Sequence, residues 1–293
     1  MDNRNFSIVS DEVSQDPAVV ARFVRDFGLS GFELRSMFGR AFKDLTARDI
    51  AEVRTLAGGE GWRIHGCDTP VFKCAMDDAA AVRAHLEIFR RSLDVATELQ
   101  CDLVRVFTFL RRPEALSNSA VESIAFHLTA LADLAAAAGI RLGIENESSC
   151  LIGSGAELLR LGESLAHPAT GWIWDPCNVL YVPGENGPAT AGFSALVGRI
   201  FHIHVKDSAR TPGAAAPARA VPFGEGDVGW KRHLSEIGHS GYTGLLSLET
   251  HWRQTALDEK LLHLPAGDAF SAGGEEASRI CLRRLLDLWA AAG

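Results

Sequence analysis

Eight short β-like runs alternate with longer helical stretches along this chain, and that alternation restricts its fold more than any other feature. The runs are Phe6–Glu12, Gly31–Arg35, Trp62–Cys67, Leu103–Phe109, Arg141–Glu147, Gly171–Cys177, Ile200–Asp207 and Leu245–His251. Between them, Pro17–Phe27, Leu45–Leu56, Asp77–Leu99, Ser119–Ala138, Glu157–Ala166, Gly192–Val197 and Trp230–Ile237 read as helices, with Gly274–Ala291 closing the series. Thr46 is a fitting N-cap for the second, and Gly28 and Gly139 stop the first and fourth. Eight β-then-α units within 293 residues predict an α/β fold, a single-domain (β/α)8 TIM barrel over residues 1–293. An open doubly wound sheet is the alternative. It normally carries a Gly-rich first turn, and no GxGxxG follows any of these strands.

One stretch breaks the rhythm. Residues 208–229 contain Pro212, Pro217, Pro222 and the run Ala214–Ala216, too long for a simple βα turn. Following the seventh strand, it is expected to lie as a cover over the active-site face. Charge narrows the partners further: 29 Lys and Arg against 37 Asp and Glu leave −8, which disfavours nucleic acid and favours a small ligand. The six cysteines form no CxxC pair, so free thiols are expected. The N-terminal residues lack the apolar segment of a signal peptide, and no run reads as a membrane span. The expectation is therefore a cytoplasmic protein without a membrane partner.

In a barrel, the C-terminal ends of the strands converge on one pocket. From the fifth strand onward those ends carry Glu145 in Gly-Ile-Glu-Asn-Glu, Asp175 in Trp-Asp-Pro-Cys-Asn, His204 in His-Ile-His-Val-Lys-Asp and Glu249 in Leu-Ser-Leu-Glu-Thr-His. Three carboxylates aimed at one pocket repel unless a cation or proton neutralises them. One divalent metal ion does so economically. Oxygen-rich ligation with one nitrogen suits Mn2+ best, with Mg2+, Co2+ and Zn2+ also compatible.

This ordered Glu, Asp, His, Glu set, together with the Phe-Glu-Leu-Arg of the second strand, resembles the xylose-isomerase-like barrel superfamily of sugar phosphate isomerases and epimerases, which includes D-tagatose 3-epimerase and endonuclease IV. The resemblance spans nearly the whole chain. It implies that Glu145, Asp175, His204 and Glu249 are the metal ligands, and it selects His204 over His202. Arg210 then falls where the epimerases place a substrate-binding arginine. Asn178 replaces a substrate-side histidine, and Leu151 replaces a second substrate-binding glutamate; both depart from ketose 3-epimerases. The implied activity is that of a metal-dependent sugar isomerase or epimerase working through a metal-stabilised enediolate, with Glu145 and Glu249 as the acid/base pair. The partner would be a small sugar or polyol, and a dimer or tetramer is the usual assembly of such enzymes.

Neighbouring residues have plainer readings. His65 and Glu147 are expected to face the pocket mouth and touch substrate hydroxyls. His202, one layer below His204, is expected to fill the core or hydrogen-bond a ligand. Glu33, Arg35 and Arg105 stand in strands where buried charge is costly, so an ion-paired network and substrate recognition are the two readings, the network being favoured for Glu33 and Arg105. Lys73 suits either a surface charge or an anionic substrate. Cys177 reads as a small core residue rather than a nucleophile, and Trp172 and Trp174 as packing against helices. His251 or Trp252 would wall the sugar site.

A lyase on the same scaffold, dehydrating a cyclic keto-polyol or a dehydroshikimate-like substrate, is the runner-up, since it shares proton abstraction beside a carbonyl. A nuclease needs extra histidine ligands and a cationic face, which this chain lacks. A non-catalytic sugar-binding barrel would be expected to have lost a ligand, and all four are present.

Overall fold

The computed structural model describes residues 5–213, 217–255 and 267–292. Among these, eight parallel strands form one sheet: β1 (Phe6–Ile8), β2 (Gly31–Leu34), β3 (Arg63–Asp68), β4 (Leu103–Val106), β5 (Arg141–Glu145), β6 (Thr170–Trp174), β7 (Ile200–Val205) and β8 (Leu245–Leu248). Each pairs with its sequence neighbour, β1 pairs with β8, and a parallel bridge from Val9 to Glu33 joins the two ends of the sheet. The expected (β/α)8 barrel is therefore present.

The helices start where local chemistry allows. Asp16 caps Pro17–Asp26 by accepting from the Ala18 N–H, with Pro17 at the first position, where its missing N–H costs nothing. Thr46 and Asp49 cap Ala47–Glu60 reciprocally, and Ser154 with Glu157 does the same for Gly155–Ser164. Helix Asn118–Ala137 corrects the expectation that no run matches a membrane span: its length and mean hydropathy of 1.3 would suffice. Its buried residues Val121, Ile124, Ala125, Leu128, Leu131, Ala132 and Ala135 recur at helical spacing, and it packs as one of the outer helices of the barrel.

Most strands stop earlier than the sequence suggested. The chain after β1 tightens into a 3-10 turn, Ser10–Glu12, and the chain after β6 turns into a short helix, Pro176–Val179. Pro176 explains the second case: it has no N–H for the sheet and favours a first helical position, so Asp175 becomes an N-cap that accepts from the Cys177 and Asn178 N–H groups.

The Pro-rich stretch after β7 is a hairpin in its described part, Ser208–Arg210 pairing antiparallel with Ala218–Ala220; the run Ala214–Ala216 lies outside the described residues. The Asp207 carboxylate accepts from the Gly224 and Gly226 N–H groups (2.9 and 3.0 Å) and pins the return arm. Trp172 and Trp174 are fully buried on the outer face of β6. The Trp172 ring lies 4.4 Å below the Arg199 guanidinium, and the Trp174 indole donates to His233 of helix Trp230–His239. All six cysteines are free and buried.

Candidate active site and metal centre

Glu145 ends β5, Asp175 follows β6, His204 lies in β7 and Glu249 follows β8. Each of the four offers one ligand atom, and these atoms all lie within 4.8 Å of one another. All four side chains are buried, the most accessible being Glu249 at 3%. The alternation of inward and outward side chains along parallel strands produces this convergence.

The chain surrounds the cluster with its own cations. The Lys206 ammonium lies 2.6 Å from both Asp175 Oδ2 and Glu249 Oε2. The Arg105 guanidinium donates to Glu145 Oε2 at 2.6 Å. Arg35 reaches Glu249 Oε1, Asp11 (3.0 Å) and Glu12 (2.7 Å). Glu12 also receives Arg253 at 3.1 Å and lies 3.4 Å from His251, which in turn is 3.4 Å from Glu249. The like charges of the three carboxylates are thus already offset by protein cations, where the sequence reading had taken a divalent metal as the economical neutraliser.

Ionisation follows from these contacts. Burial alone would raise Glu145, but Arg105 and His204 hold it down at about 2. Burial is likewise outweighed at Glu249 by Lys206, His251 and Arg35, which keep its carboxyl well below the usual range. Asp175 moves the other way: burial outweighs Lys206 and pushes it up to about 6. His204 loses from burial but gains more from Glu145 and Glu33, so its imidazole is held well above its ordinary value. Both glutamates are consequently ionised at neutral pH and able to accept a proton.

Other expected site residues separate into those near the cluster and those apart from it. Asn178 belongs with it, donating to Glu145 Oε1 (3.4 Å) and to the Asn146 carbonyl (2.8 Å). Glu147 lies just past β5 and accepts from the Ser149 N–H and hydroxyl, with Lys73 at 3.6 Å. Arg210 sits on the hairpin, its guanidinium donating to the Glu185 and Gly187 carbonyls rather than to any of the four ligand side chains.

His65 requires a correction. Strand β3 runs three residues further, to Asp68, so His65 lies in its N-terminal half and faces Ser30 Oγ at 3.0 Å. A sequence bulge opposite Phe32 and Glu33 shifts the register there, and Asp68 takes the mouth position. Arg35 and Arg105 are ion-paired, Arg35 with Asp11, Glu12 and Glu249 and Arg105 with Glu145 and Asp68, whereas Glu33 meets neither arginine and faces His202 and His204 instead. Cys177 donates to Ser208 Oγ at 3.2 Å, and burial pushes its thiol far up, which fits core filling.

The sequence reading missed Lys206, Asp11, Glu12 and Asp68. Period-two spacing from His202 and His204 could have found Lys206.

Asp68 is 2% exposed, with neither carboxylate oxygen hydrogen-bonded and Arg105 Nε at 3.7 Å. Burial, reinforced by Glu33, raises it to about 7. Because the folded value lies above the ordinary 3.8, its ionisation costs stability as pH rises from about 4 to about 7. Asp68→Asn should therefore raise Tm by several degrees at pH 8, and the gain should shrink toward pH 4. A pH-independent gain in thermal melts would contradict the assignment.

A barrel whose strand ends gather three carboxylates and an imidazole within coordination reach defines a class of proteins with a candidate divalent-metal site. The chain belongs to the xylose isomerase-like TIM barrel family, whose family model matches residues 21–273. It is 25% identical over 187 residues to L-ribulose-5-phosphate 3-epimerase UlaE of Escherichia coli O157:H7 (strain EC4115 / EHEC). That match covers 64% of this chain and 63% of the relative, so it spans less than two thirds of that protein's length. The fold is similar to that of D-allulose 3-epimerase from Methylomonas sp. (TM-score 0.70, 16% identity, 97% of this chain and 99% of that one). It is similar also to the IOLI protein with a bound zinc atom (TM-score 0.74, 15% identity, 99% of each chain).

Proposed function

We propose that this protein is a divalent-metal-dependent sugar isomerase or epimerase in which Glu145 and Glu249 form the acid/base pair. The observation that carries the reading is the convergence of Glu145, Asp175, His204 and Glu249 within 4.8 Å, at the strand ends where barrel enzymes place their chemistry. The donor set fits the implied metal: three carboxylates and one imidazole, all buried, on four consecutive strands, with Mn2+ the ion best suited to it. A divalent ion held by these four side chains would polarise a substrate carbonyl and its neighbouring hydroxyl.

The remaining chemistry falls to the chain. Glu145 and Glu249 stand three strands apart on the ring, with the His204 imidazole 3.2 Å from the first and 3.9 Å from the second. They can address a bound sugar from different sides. One carboxylate takes the proton beside the carbonyl; the other, after taking up a proton from solvent, delivers it to the opposite face, giving an epimer, or the first carboxylate passes its own proton to the adjacent carbon, giving an isomer. Lys206 keeps the Asp175 and Glu249 carboxylates oriented, Asn178 steadies Glu145, and burial keeps bulk water off the reacting carbons. Arg210 and Glu147 remain substrate-side candidates, with the stretch 208–229 as cover over the mouth. The reading includes a small sugar or polyol partner, a cytoplasmic setting and assembly as a dimer or tetramer.

Elemental mass spectrometry on protein purified without chelator, then incubated with Mn2+, tests the centre. About one equivalent is expected, and His204→Ala should lose it, as removal of one ligand weakens such sites strongly. Wild-type protein that binds no metal would end the proposal. A ketose screen for solvent deuterium incorporation then separates epimerase from isomerase, and product lacking one water would instead favour the lyase reading.

A further inference from the structure

Three local features are arranged around one carboxylate that the proposed chemistry does not use. Glu33 is fully buried at the end of β2, where the Val9 bridge joins the two ends of the sheet. The register of β2 against β3 shifts between Phe32 and Glu33, which sets Gly66 opposite Glu33. A Cβ at Gly66 would stand 2.8 Å from Glu33 Oε2 and 3.3 Å from its Cγ, so a glycine is required for the carboxylate to occupy this space. Bulges of this kind commonly re-aim a side chain toward a site.

The carboxylate points at His204. Glu33 Oε2 lies 3.4 Å from His204 Nε2, and Oε1 lies 3.9 Å from His202 Nε2 without a hydrogen-bond donor. The opposite ring nitrogen of His204, Nδ1, faces Glu145 Oε1 at 3.2 Å and Glu249 Oε2 at 3.9 Å. The imidazole is therefore held between the Glu33 carboxylate, with Asp68 close beside it, on one side and Glu145 and Glu249 on the other.

We infer that Glu33 is a positioning residue: it accepts the Nε2 proton of His204, fixing the tautomer and ring plane in which Nδ1 presents its lone pair to a metal ion held by Glu145, Asp175 and Glu249. The inference rests on the metal-centre reading above. A histidine ligand whose far nitrogen is hydrogen-bonded to a carboxylate is more basic and better oriented, and loss of such a partner typically weakens metal binding about 10- to 100-fold. The same contact accounts for Gly66 and for the bulge, which an ordinary barrel core does not need.

The test uses Zn2+ as a diamagnetic probe on the full chain. Calorimetric titration should show Glu33→Leu, which keeps volume but removes the acceptor, binding about 10- to 100-fold more weakly than wild type. Glu33→Gln, which retains a neutral acceptor, should fall between them. In Zn2+-loaded wild-type protein, the His204 Nε2 proton should appear as a downfield 15N-coupled resonance, slow to exchange. In Glu33→Leu it should be lost to solvent exchange. Gly66→Ala displaces the carboxylate without removing it and should weaken Zn2+ binding in the same direction, which serves if Glu33→Leu does not fold. Folded variants that bind Zn2+ within twofold of wild type, with the Nε2 resonance unchanged, would overturn the inference. Wild-type protein that fails to bind Zn2+ would overturn the metal-centre reading itself, and this inference with it.

Discussion

Replacing Glu249 with glutamine is expected to abolish exchange of solvent protons into a ketose substrate while leaving the barrel folded. Lys206, His251 and Arg35 outweigh the cost of its burial and keep Glu249 ionised, so it has an open site for a proton, while the same cations lower its basicity. Glutamine keeps the volume and one carbonyl oxygen but cannot take the proton. Loss of a general base typically lowers the rate about 10²- to 10⁴-fold. Two measurements make the result specific: deuterium incorporation followed by NMR, and thermal melts beside wild type. A folded Glu249→Gln protein exchanging protons at the wild-type rate would remove Glu249 from the acid/base pair.

The second large effect is on stability. Arg35 alone contacts Asp11, Glu12 and Glu249, all of them buried. Arg35→Met preserves much of the stem but leaves those carboxylates without their shared cation. Breaking a buried pair from one side costs about 3–5 kcal/mol. The pH dependence has a definite sign. In wild type, Arg253, His251 and then Arg35 outweigh burial and hold Glu12 down at about 2, so their joint contribution is present above its ordinary 4.5 and fades as pH falls toward 2. Without Arg35 the folded-state values of these acids rise, so the deficit of the variant should be greatest at pH 7 and narrow toward pH 4. Denaturant midpoints measured at both pH values check this; a deficit that widens in acid would contradict the ion-pair account.

The barrel and its four convergent side chains were legible because both follow from periodicity. A β-then-α alternation of eight units fixes which ends meet, those ends carry Glu145, Asp175, His204 and Glu249, and the family resemblance chose His204 over His202, which shares its face. What surrounds them was less legible. Asp11 and Glu12 meet Arg35 only after β1 and β2 are brought together by ring closure, and Glu12 meets His251 across nearly the whole chain. No local pattern encodes such pairings. His65 was misplaced although the expected strand already passed Gly66 to Cys67: the observed strand runs to Asp68 with an irregular register against Phe32 and Glu33, which leaves His65 three residues short of its end. Lys206 was readable from spacing alone but was passed over beside the more conspicuous histidines.

The cysteines give the molecule a built-in clock. Cys67, Cys74, Cys101, Cys150, Cys177 and Cys281 are distributed around the ring, each buried and each a free thiol. A thiol reagent added to folded protein therefore meets almost no reactive sulfur, because only an opened sector exposes a thiolate. Timed alkylation read by peptide mass spectrometry would assign opening rates to several parts of the barrel, with Cys67 and Cys101, which touch, reporting on the same one. It would thus reveal whether the ring comes apart at one seam or all at once.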